Sequence, residues 1–175
     1  MMYILGANGI IKNVDTFVQQ LLAFSEQEHL IIQAFDARVI FGKDHLISAT
    51  MHARRAFKQG TNATNSLALE ILLYAAGERQ IKKAIKKTGV KKGKHSIVIL
   101  ITAPLNRKRD KSVERAVINR LLKTFHLTLD DTVLIGNRTT LKRFGITEKE
   151  LSTVPKEKYG ELILEKVALV DVIKK

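Results

Sequence analysis

The strongest constraint on the fold is a short apolar run near the middle of the chain. Residues 95 to 103 read HSIVILITA, in which five consecutive positions are Ile, Val or Leu. The run is continuous, rich in β-branched residues and followed by Pro104, which is typical of a strand in the centre of a sheet. We therefore predict a mixed α/β fold, in which a small central β-sheet packs with a layer of helices in a single domain of residues 1 to 175.

Two further strands and six helices are predicted around this run. Residues 2 to 11 predict a strand broken by a turn or bulge at Gly6 and Gly9, and residues 30 to 35 predict another strand. Apolar periodicity and capping signals predict helices at residues 14–28, 45–58, 67–76, 78–88, 113–125 and 156–169. The predicted caps are Asn13 or Asp15, Asp44, Ser66 and Ser112 at the starts, and Gly60, Gly77 and Gly89 at the ends. Residues 39 to 41 are a further candidate strand, and Thr147 with Glu150 predicts a capping box.

The composition is that of a folded intracellular protein. The chain has 175 residues and 45% apolar content, which is enough to bury a core without disulfides or metals. It contains no cysteine, so disulfides, thiolate metal sites and cysteine nucleophiles are excluded. No secretory signal pattern and no apolar run of membrane-spanning length is visible, so we expect a cytoplasmic protein without a membrane partner.

The positive charge of the chain is concentrated in its middle third. Residues 38 to 111 hold 17 Lys and Arg against four Asp and Glu, so this segment alone accounts for the net charge of +13. Residues 79 to 94 hold eight basic residues and no acid. Segregated charge of one sign is the electrostatic signature of a protein that binds a polyanion, most often a nucleic acid. A surface that only confers solubility is the alternative, but such surfaces usually mix both signs.

The helix predicted at residues 78–88 is the centre of the candidate RNA surface. Ile81, Ala84 and Ile85 share its apolar face, and the basic residues share the opposite face. Few aromatic residues lie nearby, which argues against a base-stacking platform and favours recognition of RNA shape or of an RNA end. The predicted RNA-binding residues are Ser48, His52, Arg54, Arg55, Lys58, Arg79, Gln80, Lys82, Lys83, Lys86, Lys87, Lys91, Lys92 and Lys94.

No catalytic, metal or cofactor site is predicted. His45 and His52 are seven residues apart on one helix, which separates them by roughly 10 Å, too far to bind one metal ion together. Neither a G-x-x-x-x-G-K-[ST] loop nor a G-x-G-x-x-G motif occurs. The remaining enzymatic alternative is a metal-dependent nuclease that uses Asp130, Asp131 or Glu148, which requires these carboxylates to cluster in one cleft.

Glu70 is the single charged residue in an otherwise apolar helix. An isolated buried carboxylate is costly, so it is expected to pair with a cation or an amide. Arg38, Arg55 and Arg79 are candidate partners, and we predict a structural pair of Glu70 with Arg55 that holds the two central helices in register.

Several motifs resemble the PRPK-binding protein family, a subunit of the archaeal and eukaryotic KEOPS (EKC) complex. The similar stretches are residues 37–57 (ARVIFGKDHLISATMHARRAF), residues 66–90 (SLALEILLYAAGERQIKKAIKKTGV) and residues 162–172 (LILEKVALVDV). The matching features include the K-D-H-L helix start, the lone Glu of the apolar helix and the G-x-R-Q-I entry to the basic helix.

The resemblance implies a mixed α/β fold with a helical layer and a non-catalytic role. Members dock on the small atypical kinase/ATPase subunit, which in turn contacts the threonylcarbamoyltransferase subunit. The complex makes N6-threonylcarbamoyladenosine beside the tRNA anticodon, and archaeal members bind tRNA, chiefly at its 3′ CCA end. The expected tRNA-binding residues are therefore the basic set above.

The kinase-binding surface is expected at the C-terminal segment. Its candidate residues are Leu162, Leu164, Val167, Leu169 and Val170, and this surface is expected to be distinct from the tRNA surface. Ile47 and Met51 are the other apolar candidates. A free-standing RNA- or ribosome-associated basic protein remains the alternative within the binding class.

Overall fold

A four-stranded antiparallel sheet forms the centre of the protein. The structure, a computed structural model, describes residues 2–106 and 115–173. The strands are β1 (Met2–Ile11), β2 (Ile31–Asp36), β3 (Gly93–Thr102) and β4 (Thr128–Leu129), in the order β2-β3-β1-β4. β3 therefore lies between β1 and β2, which confirms that the HSIVILITA run is a central strand.

Helices surround this sheet, and the predicted mixed α/β class is confirmed. They are α1 (Val14–Gln27), α2 (Gly42–Gln59), α3 (Leu67–Ala76), α4 (Ile81–Thr88), α5 (Arg115–Thr124), α6 (Arg138–Phe144), α7 (Glu148–Leu151) and α8 (Tyr159–Ile173). Short 3-10 helices occupy Ala37–Val39, Asp131–Leu134 and Lys156–Lys158. None of the helices within the described ranges has the length and apolar character needed to cross a membrane.

The sheet carries a hydrophobic core on each face, one more helical layer than the sequence predicted. Val98 and Leu100 of β3 pack with residues of α2, α3 and α8 on one face. Ile97, Ile99 and Ile101 pack with residues of α1 and α5 on the other face. Successive side chains of a strand point to opposite faces, so a strand covered on both sides must be apolar at every position. Burial of each such side chain stabilises the fold by about 1.5–3 kcal/mol.

The helix caps anticipated from the sequence are mostly where they were predicted. The Ser66 side chain accepts a hydrogen bond from the Leu69 N–H at the start of α3. Gly60 and Gly77 end α2 and α3 in the left-handed conformation, with φ of 67° and 64°. Thr147 and Glu150 form the predicted capping box of α7.

Four local predictions were wrong. β1 runs unbroken from Met2 to Ile11, and Gly6 instead allows a close approach, because a Cβ there would lie 2.4 Å from the Asp130 carbonyl oxygen. Residues 39–41 do not form a strand, because the Asp36 side chain caps a 3-10 helix at Ala37–Val39. α4 begins at Ile81, because Gln80 is still extended, and α2 begins at Gly42, before the predicted cap. The predicted cap Ser112 lies outside the described residues.

Candidate functional site

Three lysines of α4 project into solvent without a protein partner. Lys82, Lys83 and Lys86 are exposed, and within the described ranges their ammonium groups make no hydrogen bond or ion pair. Lys92 and Lys94 follow the helix and are also exposed. An unpaired ammonium group is free to neutralise a phosphate, so this row is the strongest part of the candidate RNA surface.

Lys87 departs from the predicted row and packs inward. Its ammonium group donates to the Ala76 carbonyl oxygen at 2.7 Å and lies 3.9 Å from the centre of the Phe144 ring. Burial lowers the pKa of Lys87, against the opposing charge of Glu78 at 3.9 Å. This lysine joins the C-terminal end of α3 to α6, so its predicted place on the same face as the other lysines was wrong.

Lys91 closes the C-terminal end of α4. Its ammonium group donates to the carbonyl oxygen of Lys86 at 2.7 Å, in the last turn where backbone acceptors lose their intrahelical partners, and to that of Ile85 at 3.3 Å, which also accepts from the Gly89 N–H. Burial lowers the pKa of Lys91. The half-buried side chain of Lys91 therefore stabilises the helix end, whereas its neighbour Lys92 is exposed.

The apolar face of α4 is only partly covered. Ala84 is fully buried, but Ile81 and Ile85 remain 38% and 48% exposed. The three residues were predicted to share one apolar face, and the structure leaves two of them partly open to solvent. Two exposed isoleucines beside the lysine row give this surface an apolar strip as well as charge.

A carboxylate of α8, Asp171, holds two of the predicted RNA-binding residues. It accepts hydrogen bonds from the Tyr74 hydroxyl and, at 2.8 Å, from the Arg55 guanidinium. His52 Nδ1 lies 2.7 Å from both Asp171 and Arg55, so it donates to the carboxylate when protonated and accepts from the guanidinium when it is not. Burial alone would raise the pKa of Asp171, but the bonds from Tyr74, His52 and Arg55 hold it below its ordinary value.

Arg79 makes a second connection to the end of α8. Its guanidinium donates to the carbonyl oxygen of Ile173 in the last turn of the helix. Two arginines predicted to bind RNA therefore contact the segment predicted to bind a kinase. The sequence predicted that these two surfaces are distinct, and in the structure Arg55 of α2 and Arg79, just before α4, both contact the end of α8.

The remaining predicted residues of α2 are divided between its two sides. Ser48 is half-buried, and Lys58 is exposed one residue before the helix ends. Arg54 lies on another side, where its guanidinium donates to the Thr102 hydroxyl at 2.9 Å and to the Ala103 carbonyl oxygen. The structure therefore does not bring Arg54 together with the Asp171 cluster. Gln80 is exposed next to Arg79.

The predicted pair of Glu70 with Arg55 was wrong. Glu70 is fully buried, and its carboxylate accepts hydrogen bonds from the backbone N–H groups of Ala63 and Thr64 and from the Thr64 hydroxyl. Arg55 is bound to Asp171 instead. Glu70 thus fixes the loop between α2 and α3 through backbone donors, which are as able as a cation to stabilise a buried carboxylate.

Only part of the predicted kinase-binding set reaches the surface. Leu162, Val167 and Val170 are 6%, 0% and 0% exposed, so they belong to the protein's own core and cannot present a docking surface. Leu164 is half-buried. Leu169 is 38% exposed, and the next turn adds Val172 at 67% and Ile173 at 52%. α8 also packs on α2, which exposes Ile47 and Met51.

A family model described as kinase binding protein CGI-121 matches residues 10 to 171. The chain belongs to this family. A curated relative, the KEOPS complex subunit Cgi121 of Pyrococcus abyssi (strain GE5 / Orsay), is 36% identical over 78 residues. That alignment covers 43% of this chain and 46% of the relative, so it spans less than half of the relative's length. The resemblance drawn from the sequence motifs is confirmed at the level of the family.

The CGI-121 match ends at Asp171, and this residue was missed by sequence reasoning. The sequence did contain a signal for a paired carboxylate, because Asp171 is an isolated acid among apolar residues near the end of α8, as Glu70 is in α3. Tyr74 was also missed, because an apolar helix gave no reason to expect a hydroxyl directed at another helix.

The carboxylates of the nuclease alternative serve structural roles in this CGI-121 family member. The Asp131 carboxylate accepts from the Gly6 N–H at 2.9 Å, and Asp130 accepts from the Asn8 amide at 2.7 Å. Glu148 binds Arg138 and Lys142. Across residues 2–106 and 115–173, no three His, Cys, Asp or Glu side chains gather where they could hold a metal ion. The clustering that this alternative requires is therefore not observed there.

Proposed function

We propose that this protein is a non-catalytic cytoplasmic subunit of a KEOPS-type complex that binds tRNA, notably at its 3′ CCA end, and the kinase/ATPase subunit. In this role it recruits tRNA for formation of N6-threonylcarbamoyladenosine next to the anticodon. The threonylcarbamoyltransferase subunit is an indirect partner, reached through the kinase. Membership of the CGI-121 family supports the kinase partner.

The observation that carries the tRNA part is the row of unpaired lysines on α4. Lys82, Lys83 and Lys86 are exposed and free of acidic partners within the described ranges. A phosphate bound by such a lysine releases condensed counterions, which makes affinity independent of sequence and dependent on salt. Ile81 and Ile85 lie on the same helix and give an unstacked base an apolar surface to pack on.

The kinase part rests on the exposed apolar end of α8. Stable interfaces have a largely apolar centre from which charged residues are depleted. Leu169, Val172 and Ile173 form such a surface, and Met51 on the neighbouring α2 is 63% exposed. The lysine row of α4 has the opposite character, so it suits a phosphate backbone rather than the centre of a protein interface.

The test is tRNA binding by the triple variant Lys82→Ala, Lys83→Ala, Lys86→Ala, measured over a range of salt concentrations. Each lost phosphate contact should reduce the log–log salt slope by roughly one. The matched control removes three exposed lysines elsewhere, Lys123, Lys149 and Lys156. Equal affinity and slope in the two variants would exclude the α4 surface.

The same assay tests which part of the tRNA the protein binds. A tRNA without its CCA tail should bind more weakly than a tRNA with an altered anticodon loop. Equal binding of the intact and trimmed molecules would contradict recognition of the 3′ end.

A further inference from the structure

A groove of about 620 Å³ lies at the end of the sheet where β1 ends and β3 begins. α1 and the C-terminal turn of α5 form its walls. Its apolar part comes from Ile11, Phe17 and Phe125, which are largely buried, and from Ile10, which is 63% exposed. This volume is within the range of about 300–1,000 Å³ that is typical of small-molecule sites.

The charge of the groove is of one sign. Its charged lining residues are Lys12 and Lys94, and none of the described lining residues is Asp or Glu. Lys12 and Lys94 are exposed and make no hydrogen bond or ion pair within the described ranges. Lys94 belongs to the basic stretch that follows α4 in the sequence, together with Lys91 and Lys92.

His126 has a left-handed backbone conformation at the edge of the groove. It ends α5 with a φ of 51°, in the left-handed region where Gly or Asn is normally found. A non-glycine residue there costs roughly 1–2 kcal/mol. The side chain is exposed at the groove and contributes nothing to the core, whereas the backbone there closes α5 through the bonds from the His126 and Leu127 N–H groups to the carbonyl oxygens of Lys123 and Leu122.

We propose that this groove holds a short unpaired segment of RNA, an inference that rests on the proposed tRNA-binding function. Lys12 and Lys94 neutralise its phosphates, and a base packs on the exposed side chain of Ile10. Gln20, Thr16 and Thr128 line the groove and supply donors and acceptors for base edges. A groove that joins cations to an apolar surface is the usual arrangement in proteins that bind single strands. Unpaired nucleotides fit because their bases are free to leave a helical stack.

The test uses a five-nucleotide single-stranded RNA of mixed sequence, with AMP and a short RNA duplex as comparison probes. Fluorescence anisotropy should show the single strand binding more tightly than either. The double variant Lys12→Ala, Lys94→Ala should weaken binding of the single strand about tenfold. It should also reduce the salt slope by roughly 0.7 for each lysine removed. The control variant Lys123→Ala, Lys149→Ala removes the same charge from other exposed positions.

A second variant separates binding from folding. His126→Gly relieves the left-handed strain, so the melting temperature should stay the same or rise while affinity for the single strand falls about threefold. A loss of affinity without a loss of stability supports the groove.

Equal binding of the single strand by the double variant and its control would overturn the proposal. If the α4 triple variant loses tRNA in that case, the proposed function still stands. If the wild-type protein binds neither tRNA nor the single strand, the proposed function itself fails. Polyglutamate that binds as tightly as RNA and is lost with the same two lysines would assign the groove to an acidic protein and overturn RNA as its ligand.

Discussion

The guanidinium of Arg55 lies 2.8 Å from the carboxylate of Asp171, and this contact joins the C-terminal part of α2 to the end of α8. Arg79 donates to the last turn of α8 as well. An RNA phosphate that engages either arginine must therefore compete with α8. A kinase that packs on Val172 stabilises the same turn, so binding of the two partners is expected to be energetically coupled.

Asp171→Asn should loosen the last turn of α8. The amide cannot accept strong charge-assisted bonds from His52 and Arg55, so we expect a loss of about 1–2 kcal/mol in the free energy of unfolding. The rate of amide hydrogen exchange should increase more in the last turn of α8 than in β3. Glu165→Gln, at an exposed position of the same helix, is the control and should change neither quantity. Unchanged exchange in Asp171→Asn would show that the cluster does not anchor the helix.

Val172→Glu should abolish binding of the kinase/ATPase subunit. Val172 is 67% exposed, so the substitution should alter the free energy of unfolding by less than about 0.5 kcal/mol, whereas a charge at the centre of an apolar interface is strongly unfavourable. Isothermal titration calorimetry measures the affinity, and circular dichroism verifies the fold. Val18→Glu, at a position of α1 that is 49% exposed, should leave kinase binding intact. If both variants bind equally well, the interface lies elsewhere.

His45 should make the protein less stable in mild acid. Burial lowers its pKa to about 4, and the neutral ring bridges the Phe41 N–H and the Ala75 carbonyl oxygen. Between pH 6.5 and 4 the unfolded chain binds a proton at His45 that the folded protein does not, so stability is present above pH 6.5 and is lost as the pH falls. The full effect is roughly 3 kcal/mol. Urea unfolding at pH 7 and pH 4.5 measures it.

His45→Gln provides the comparison for this pH dependence. The variant should be less stable at pH 7, because the glutamine amide does not reproduce the ring's bridge and either the Phe41 N–H or the Ala75 carbonyl oxygen loses its good partner. Its stability should fall less between pH 7 and 4.5. An identical pH dependence in wild type and variant would assign the effect to other groups.

Glu70→Gln should destabilise the loop between α2 and α3. A glutamine amide places an NH2 group where the carboxylate accepts from the N–H groups of Ala63 and Thr64, and two donors then face each other. We expect a loss of about 2–4 kcal/mol, because the site is fully buried. Chemical denaturation measures this loss. Glu26→Gln, at an exposed position of α1, removes the same charge and should be close to neutral.

Local signals in the sequence were sufficient for most elements of the fold. The β-branched run of β3, the Ser66 cap and Gly77 at the end of α3 each act over a few residues, and each was placed correctly. The role of Gly6 was predicted wrongly. A glycine is needed there because the segment at Asp130, which is distant in sequence, approaches the strand closely, and no local pattern reveals such an approach.

The candidate site was harder to predict, because it depends on contacts between distant helices. Helical periodicity placed Lys87 with Lys83, but the Phe144 ring and the Ala76 carbonyl oxygen draw its ammonium group inward. The choice of Arg55 as the partner of Glu70 failed for a similar reason. Charge and spacing identify residues able to form a pair, whereas the packing of α8 on α2 decides which pair forms.

The position of β3 between β1 and β2 also sets the order in which the chain can assemble. Met2 pairs with Thr102 and Ile31 pairs with the same residue, so β1 and β2 acquire their neighbour only after β3 has been made. During synthesis the first two strands therefore leave the ribosome with unsatisfied edges, and long-range pairing of this kind folds slowly. The step that commits the nascent chain to its native structure is consequently the arrival of its most apolar strand.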